Sequence, residues 1–390
     1  MKKKYIEELI SPVEKVNTGS RHKGPVPGIA LCLSGGGYRA MLFHVGALWR
    51  LNEARFLKKL DRVSSVSGGS ITAGVLGMNW SKLDFDRHGV AREFVAQVVD
   101  PIRTLAGTTI DIPSVLMGMA MPGVKISDEL AAAYRNNLFG DATLGDLPHA
   151  PRFVINATNV QSGALWRFMR PYAADWRVGQ VRHVKASGIS LAMAVAASSA
   201  FPPVLSPVNL KFKPSDYRKK SPTEDLHKEP FTTDVVLTDG GVYDNLGLET
   251  AWKRYETILV SDGGAKMEPE AEPWQDWALQ YYRINNIIDN QVRDLRKRQV
   301  VGSFINKSRK GAYWGIRTDI SHYELRDPLN APFKKTTALA NIPTRLARLD
   351  SDVQERLINW GYAVCDAALR RHVNRKLSRP DGLPYLKAKI

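Results

Sequence analysis

The sequence predicts an α/β fold: a parallel sheet with helices on both faces, followed by a mainly helical C-terminal elaboration. Three observations carry this. Short apolar runs twice lead through glycine-rich loops into stretches with helical spacing near the N-terminus. Apolar strand-like runs return in the middle of the chain, interleaved with helical patterns. The last third carries two long helical patterns, at about Trp277–Val300 and Asp352–Val373.

The elements follow in order. Ile29–Leu33 is an apolar run that ends in Ser34-Gly35-Gly36-Gly37. Beyond it Met41, Leu42, Val45, Leu48 and Leu51 fall on one side of a helix. Leu60–Val66 reads as the next strand, followed by Gly68-Gly69 and a helix from about Ser70 to Leu76. Phe85–Leu138 is mostly helical, and its Met-rich run Val115–Pro122 suits either a packed core helix or a lid touching an acyl chain. Arg152–Thr158 is a strand with Leu165–Phe168 as hairpin partner. Leu191–Ala200 is a small-residue helix ended by Phe201-Pro202-Pro203. Pro214–Pro230 is a charged surface excursion. Val235–Leu237 and Thr257–Val260 are further buried strands.

The chain has 390 residues, 44% hydrophobic and 24% charged, which suits a soluble globular protein with a large core. No apolar stretch is long enough to span a bilayer. The basic N-terminus lacks the apolar core of a signal peptide. Cys32 and Cys365 make neither a disulfide framework nor a metal site. A cytoplasmic protein without metal or cofactor is expected. The net charge of +16 points to an anionic partner, whether membrane surface, nucleic acid or substrate, although excess charge also simply keeps proteins soluble.

Ser65-Val66-Ser67-Gly68-Gly69 joins a strand to a helix. A sharp turn of this kind lifts a hydroxyl clear of the sheet and needs small residues two positions before and after it. Ser67 stands at its centre, with Ser64, Ser65 and Ser70 as competitors in the same loop. Gly35-Gly36-Gly37-Tyr38-Arg39 makes a second strand-to-helix loop, whose N–H groups can converge on an anion. It has neither the Walker lysine nor the dinucleotide glycine spacing. Arg39 is placed to reach a phosphate.

A serine needs a base. None of the eight histidines ends a predicted strand in a small-residue loop, and His44 reads as packed. Leu237-Thr238-Asp239-Gly240-Gly241 places an acid just past a buried strand, and partial burial would lift its pKa toward usefulness. Ser261-Asp262-Gly263-Gly264 has the same form. Asp239 is preferred because Val242-Tyr243-Asp244-Asn245-Leu246-Gly247 continues its motif, with Asn245 able to hold the loop through its side chain.

Together these elements resemble the patatin-like phospholipase family, in family order, with Ala197–Pro203 similar to the segment between elbow and aspartate. The glycine-arginine loop is also similar to that of cytosolic phospholipase A2. The resemblance covers about Gly28–Gly264, and Ser65 departs from the family's glycine. It implies a three-layer α/β/α patatin-like sheet. It also implies a Ser-Asp dyad, without histidine or metal, acting on lipid esters. Ser67 is then nucleophile and Asp239 base. The N–H groups of Gly35, Gly36 and Gly37 form the oxyanion hole, and Arg39 contacts a phosphate or the oxyanion. Residues 1–27 read as an extension, 28–264 as the catalytic region, and 265–390 as a helical region packed on it.

The expected activity is phospholipase A or lysophospholipase, through an acyl-enzyme, at an anionic membrane surface contacted peripherally. The rival is a binding or regulatory protein. Arg293, Arg296, Lys297, Arg298, Lys307, Arg309, Lys310 and Arg317 form a basic stretch, and Arg370, Arg371, Arg375, Lys376 and Arg379 another. A solvated helix face is preferred there over nucleic-acid binding. A nucleotide or other anionic activator that switches on the lipase is the remaining alternative.

Overall fold

A computed structural model describes residues 25–110 and 126–390. The Met-rich run Val115–Pro122 and nearly all of the N-terminal extension lie outside these residues.

Ten strands form one sheet. They are β1 Val26–Leu33, β2 Arg62–Ser65, β3 Arg152–Asn159, β4 Ala164–Met169, β5 Tyr172–Asp175, β6 Gly179–Val181, β7 Val208–Lys211, β8 Asp234–Asp239, β9 Tyr255–Asp262 and β10 Lys310–Gly315. The order β10-β9-β1-β2-β3-β4-β5-β6 is parallel from β10 to β3 and antiparallel beyond. β8 pairs antiparallel with β3, and β7 with β8. The sheet is therefore mixed: the expected parallel part runs from β10 to β3, and the expected hairpin of β3 and β4 opens the antiparallel part. The connections from β3 to β6 are too short to cross over the sheet, so each strand must turn back. The C-terminal region is also less purely helical than its sequence pattern, because β10 completes the sheet edge.

The helices that bear on the site are α1 Gly37–Glu53, α2 Gly68–Met78, α3 Leu191–Ser198, α4 Trp277–Ile305 and α5 Ser351–Ala368. Alternation along β1 sorts the layers. Leu31 and Leu33 point into the larger core with Leu42, Phe43 and Ile358. Ala30 and Cys32 point to the opposite face, with Leu248 and Val300. Helices thus cover both faces in a three-layer α/β/α arrangement. α5 crosses α1 at backbone contact: a Cβ on Gly46 would lie 1.9 Å from the Ile358 carbonyl oxygen.

Candidate active site

β3 sets the spacing of the site. Ser65, the last residue of β2, pairs with Ile155, and Asp239, the last of β8, pairs with Ala157. β4 occupies the other edge of β3 over Ile155–Asn159. β2 and β8 therefore run toward each other along one edge and end beside each other. The loops that leave them meet there: a Cβ on Gly240 would lie 3.3 Å from Val66 Cγ1.

Ser67 sits between β2 and α2 with φ 51° and ψ −121°. A side chain rarely adopts this backbone, and holding it costs on the order of 1–3 kcal/mol. The neighbours supply that restraint. Ser67 N–H donates to Ser198 Oγ at 3.0 Å, and Ser198 Oγ donates to the Asn156 carbonyl at 2.6 Å. Ser70 Oγ lies 2.9 Å from Ser198 Oγ and donates to Ser65 Oγ at 3.0 Å. Ser64, Ser65 and Ser70 are buried, which leaves Ser67 as the one serine of the loop aimed outward. Ser65, where glycine was the commoner choice, fits by sharing this network. Ser198 and Asn156 had no functional signal of their own, apart from Ser198 lying in the Ala197–Pro203 segment.

Asp239 is buried, its carboxylate accepts a hydrogen bond from Gly241 N–H at 2.6 Å, and the Ser67 hydroxyl nearby favours its charged form. Burial pushes its pKa up to about 7, against the opposing pull of those two groups. Asp262 is buried too, but differently furnished. Lys297 Nζ lies 3.0 Å away, Tyr313 OH donates at 2.6 Å and Gly264 N–H at 2.9 Å. Burial raises its pKa, yet these partners outweigh it and hold the carboxyl well below the usual range. One aspartate is thus poised to take a proton near neutrality, and the other is a fixed anion.

The glycine loop lies directly on the elbow: a Cβ on Gly68 would fall 2.3 Å from the Gly37 carbonyl oxygen. Gly36 and Gly37 take φ values of 144° and 60°, conformations that glycine adopts without strain. Gly35 N–H donates to the Asn245 carbonyl at 3.1 Å, so it is already committed. Among the described residues no acceptor pairs with the N–H of Gly36, Gly37 or Gly68. α1 and α2 both begin here, with the positive ends of their dipoles toward the site.

Arg39 departs from expectation. Its guanidinium is buried and donates to the Gly263 carbonyl from Nη2 at 3.0 Å, to the Thr344 hydroxyl at 3.0 Å and to the Ile342 carbonyl. Burial lowers its pKa to about 10. It braces the glycine loop against the C-terminal region. Asn245 also acts differently from the expectation, since its backbone carbonyl holds the loop. Its carboxamide makes no hydrogen bond among the described residues and lies beside Ser67 and Asp239. A Cβ on Gly35 would be 2.5 Å from Asn245 Oδ1 and 3.2 Å from Ser67 Cβ.

His44 is buried, with Nδ1 2.8 Å from Ser261 Oγ and Nε2 2.9 Å from the Ser34 carbonyl oxygen. Burial lowers its pKa to about 4, so it is a neutral spacer between β1 and β9. Much of the basic stretch is paired: Arg296 with Asp244 and Glu249, Lys297 with Asp262, and Lys310 with Glu256. Arg370 and Arg371 meet Asp327 and Glu324. These residues tie the C-terminal region together and leave less free positive surface than the sequence implied.

No curated protein matches the sequence. Among solved structures the chain is similar to human GIVD cytosolic phospholipase A2, at 13% identity and TM-score 0.39, covering 67% of this chain and 52% of that one. The same human enzyme in complex with methyl gamma-linolenyl fluorophosphonate gives 13% identity and TM-score 0.46 over 91% and 60%. VipD from Legionella pneumophila gives 15% identity and TM-score 0.32 over 89% and 67%. The chain spans about half the length of the first of these. No helix among the described residues is long and apolar enough to cross a membrane. The sequence profile described as patatin-like phospholipase matches residues 31–252, a span that holds the glycine loop, the elbow and Asp239. With more than half of its length matched, the chain belongs to the patatin-like phospholipase family, whose members hydrolyse lipid esters.

Proposed function

We propose that this protein cleaves fatty-acyl esters of membrane phospholipids, as a phospholipase A or lysophospholipase, by a Ser67–Asp239 dyad working through an acyl-enzyme. One observation carries the reading: a strained serine stands beside a buried carboxylate whose pKa burial pushes up to about 7.

Asp239 takes the Ser67 proton as Oγ attacks the ester carbonyl carbon. The carbonyl oxygen becomes an oxyanion facing the N–H groups of Gly36, Gly37 and Gly68. Gly35 leaves the expected set because its N–H is spent on Asn245. Collapse of the tetrahedral species breaks the ester C–O bond, and the departing lysolipid oxygen takes the proton back from Asp239. Water then repeats the sequence on the acyl-serine, with Asp239 as base, and releases the fatty acid. Peripheral contact with an anionic lipid surface belongs to this proposal. The net charge of +16 supports it, although the paired arginines reduce the contribution of charge.

Ser67→Ala should lower fatty-acid release from phosphatidylcholine vesicles by on the order of 10³-fold or more, with an unchanged unfolding midpoint. A fluorophosphonate probe should label the wild type at Ser67 and leave the variant unlabelled. Retained turnover in the variant overturns the assignment.

A further inference from the structure

α4 is built inside out. The half-buried positions along its exposed length are Arg283, Asn286, Asp289, Asn290, Arg293, Arg296 and Lys297, which share one side of the helix, and all are polar. The opposite stripe is Trp277, Tyr281, Ile284, Ile288, Val292 and Leu295, also at helical spacing, and all six are exposed. Trp277 is 80% exposed and Ile288 52%. An amphipathic surface helix ordinarily turns its apolar stripe to the core. Here ionic contacts hold the polar side to the body: Arg293 donates to the Ala265 carbonyl at 2.9 Å, Arg296 meets Glu249 at 3.3 Å, and Lys297 meets Asp262 at 3.0 Å. The outward apolar stripe runs for about 27 Å. A patch this long on one element marks a surface that something else covers.

The helix is fastened beside the dyad. Asp244 and Glu249, its anchors, follow Asp239 in the same motif. Arg293 Nη1 would lie 3.4 Å from a Cβ on Gly264, and Asn245 Nδ2 3.3 Å from it. The charge of Asp289 is felt at Asp239.

We propose that the outward face of α4 is the surface on which the protein sits on a phospholipid bilayer, lying in the headgroup plane next to the active site. The proposal rests on the lipid-ester reading above and adds where the lipid surface is met. Three features favour lipid over a second copy of the chain. Apolar residues leave the stripe at the N-terminal end, where Trp274, Leu279 and Tyr282 are exposed as well. The apolar surface therefore broadens at that end beyond the single face that one partner helix covers. Trp and Tyr carry an apolar body and a polar tip, which suits the water–headgroup boundary. At the other end Arg298 and Lys307 are exposed and form no ion pair among the described residues, which suits anionic lipid. Of the acids leading into the helix, Glu268 and Glu270 face Arg317 and Arg283, Asp276 caps the first turn, and Glu272 is exposed without an ion pair among the described residues. Burial of the stripe in the headgroup region supplies the attraction, so binding should survive high salt far better than binding by charge alone.

The test compares the full-length wild type with Ile284→Asn/Ile288→Asn, two exposed positions outside the dyad. Vesicle sedimentation is measured with phosphatidylcholine alone and with phosphatidylcholine mixed with phosphatidylglycerol. Turnover is measured on those vesicles and on a water-soluble short-chain ester, and the mass in solution by light scattering. The variant should bind both vesicles at least about tenfold more weakly and lose vesicle hydrolysis in proportion, with short-chain turnover unchanged. Equal vesicle binding by the two proteins overturns the proposal. So does a wild-type dimer that the substitutions dissociate without any effect on vesicle binding. If neither protein turns over the short-chain ester, the hydrolase reading fails, while the sedimentation still decides the docking surface.

Discussion

The backbone N–H of Ser67 donates to the hydroxyl of Ser198 at 3.0 Å, so the strained elbow is held by a side chain from α3, far along the chain. Ser198→Ala removes that acceptor and also the donor to the Asn156 carbonyl. Ser67 should relax toward an ordinary backbone conformation and lose its aim. The expected result is a kcat lower by about 10–100-fold with KM little changed, because a misplacement of this kind acts on the reacting geometry. Stability should fall by about 1–3 kcal/mol for the groups left unpaired. Steady-state kinetics on a soluble ester and urea unfolding check both.

Asp239, as the proposed base, should make activity depend on pH. With its pKa at about 7, the carboxylate form that accepts the Ser67 proton accumulates as pH rises through neutrality. The kcat/KM profile should show an ascending limb near pH 7. Asp239→Asn should cut kcat by on the order of 10³–10⁴-fold at all pH values. Stability runs the other way. A folded pKa raised from 3.8 to about 7 means that the stability contributed by this group is complete below about pH 4 and is lost as pH rises to about 7. Asp239→Asn should therefore gain on the wild type by a few kcal/mol, roughly, between those limits and keep the advantage at pH 8. Urea unfolding across that range measures it.

Asp262 should behave as its opposite. Held low by Lys297 and Tyr313 in spite of burial, its carboxylate contributes stability above the ordinary carboxylate range, and that is lost as pH falls below it. Asp262→Asn leaves Lys297 without its counterion, for a loss of about 3 kcal/mol, and should affect turnover far less than Asp239→Asn. An Asp262→Asn enzyme that is as stable as wild type and inactive would move the base to Asp262.

Arg39 should act through the fold. Arg39→Lys cannot span the Gly263, Ile342 and Thr344 oxygens together, and carbonyls left unpaired cost about 1–3 kcal/mol each. The unfolding midpoint should drop. The ratio of kcat/KM for a phospholipid to that for an uncharged ester should stay constant. A selective loss of phospholipid turnover would restore Arg39 as a phosphate ligand.

The two loops that join strand to helix were legible because contiguous residues encode them. Glycine permits the φ values of Gly36 and Gly37, and small neighbours permit the turn at Ser67. Of the antiparallel strands β4 and β8 were legible, as Leu165–Phe168 and Val235–Leu237, and three others were not. β5, β6 and β7 are four, three and four residues long, too short for periodicity to register. Arg39 read as a free cation because the carbonyls that occupy it arrive from Gly263 and Ile342.

The sequence by itself determined the family, the elbow at Ser67, the glycine loop and the short list of two aspartates. All of these rest on local backbone chemistry. Only the tertiary structure gave the two aspartates opposite electrostatic surroundings. Asp239 and Asp262 end strands alike and are followed by the same two glycines, and in the sequence only the Val242–Gly247 continuation after Asp239 separates them. The difference is what the fold sets against each: Ser67, brought to Asp239 by the shared register on β3, and Lys297 and Tyr313, brought to Asp262 by α4 and β10. Solvation and neighbouring charge fix a carboxyl's pKa, and both belong to the folded chain.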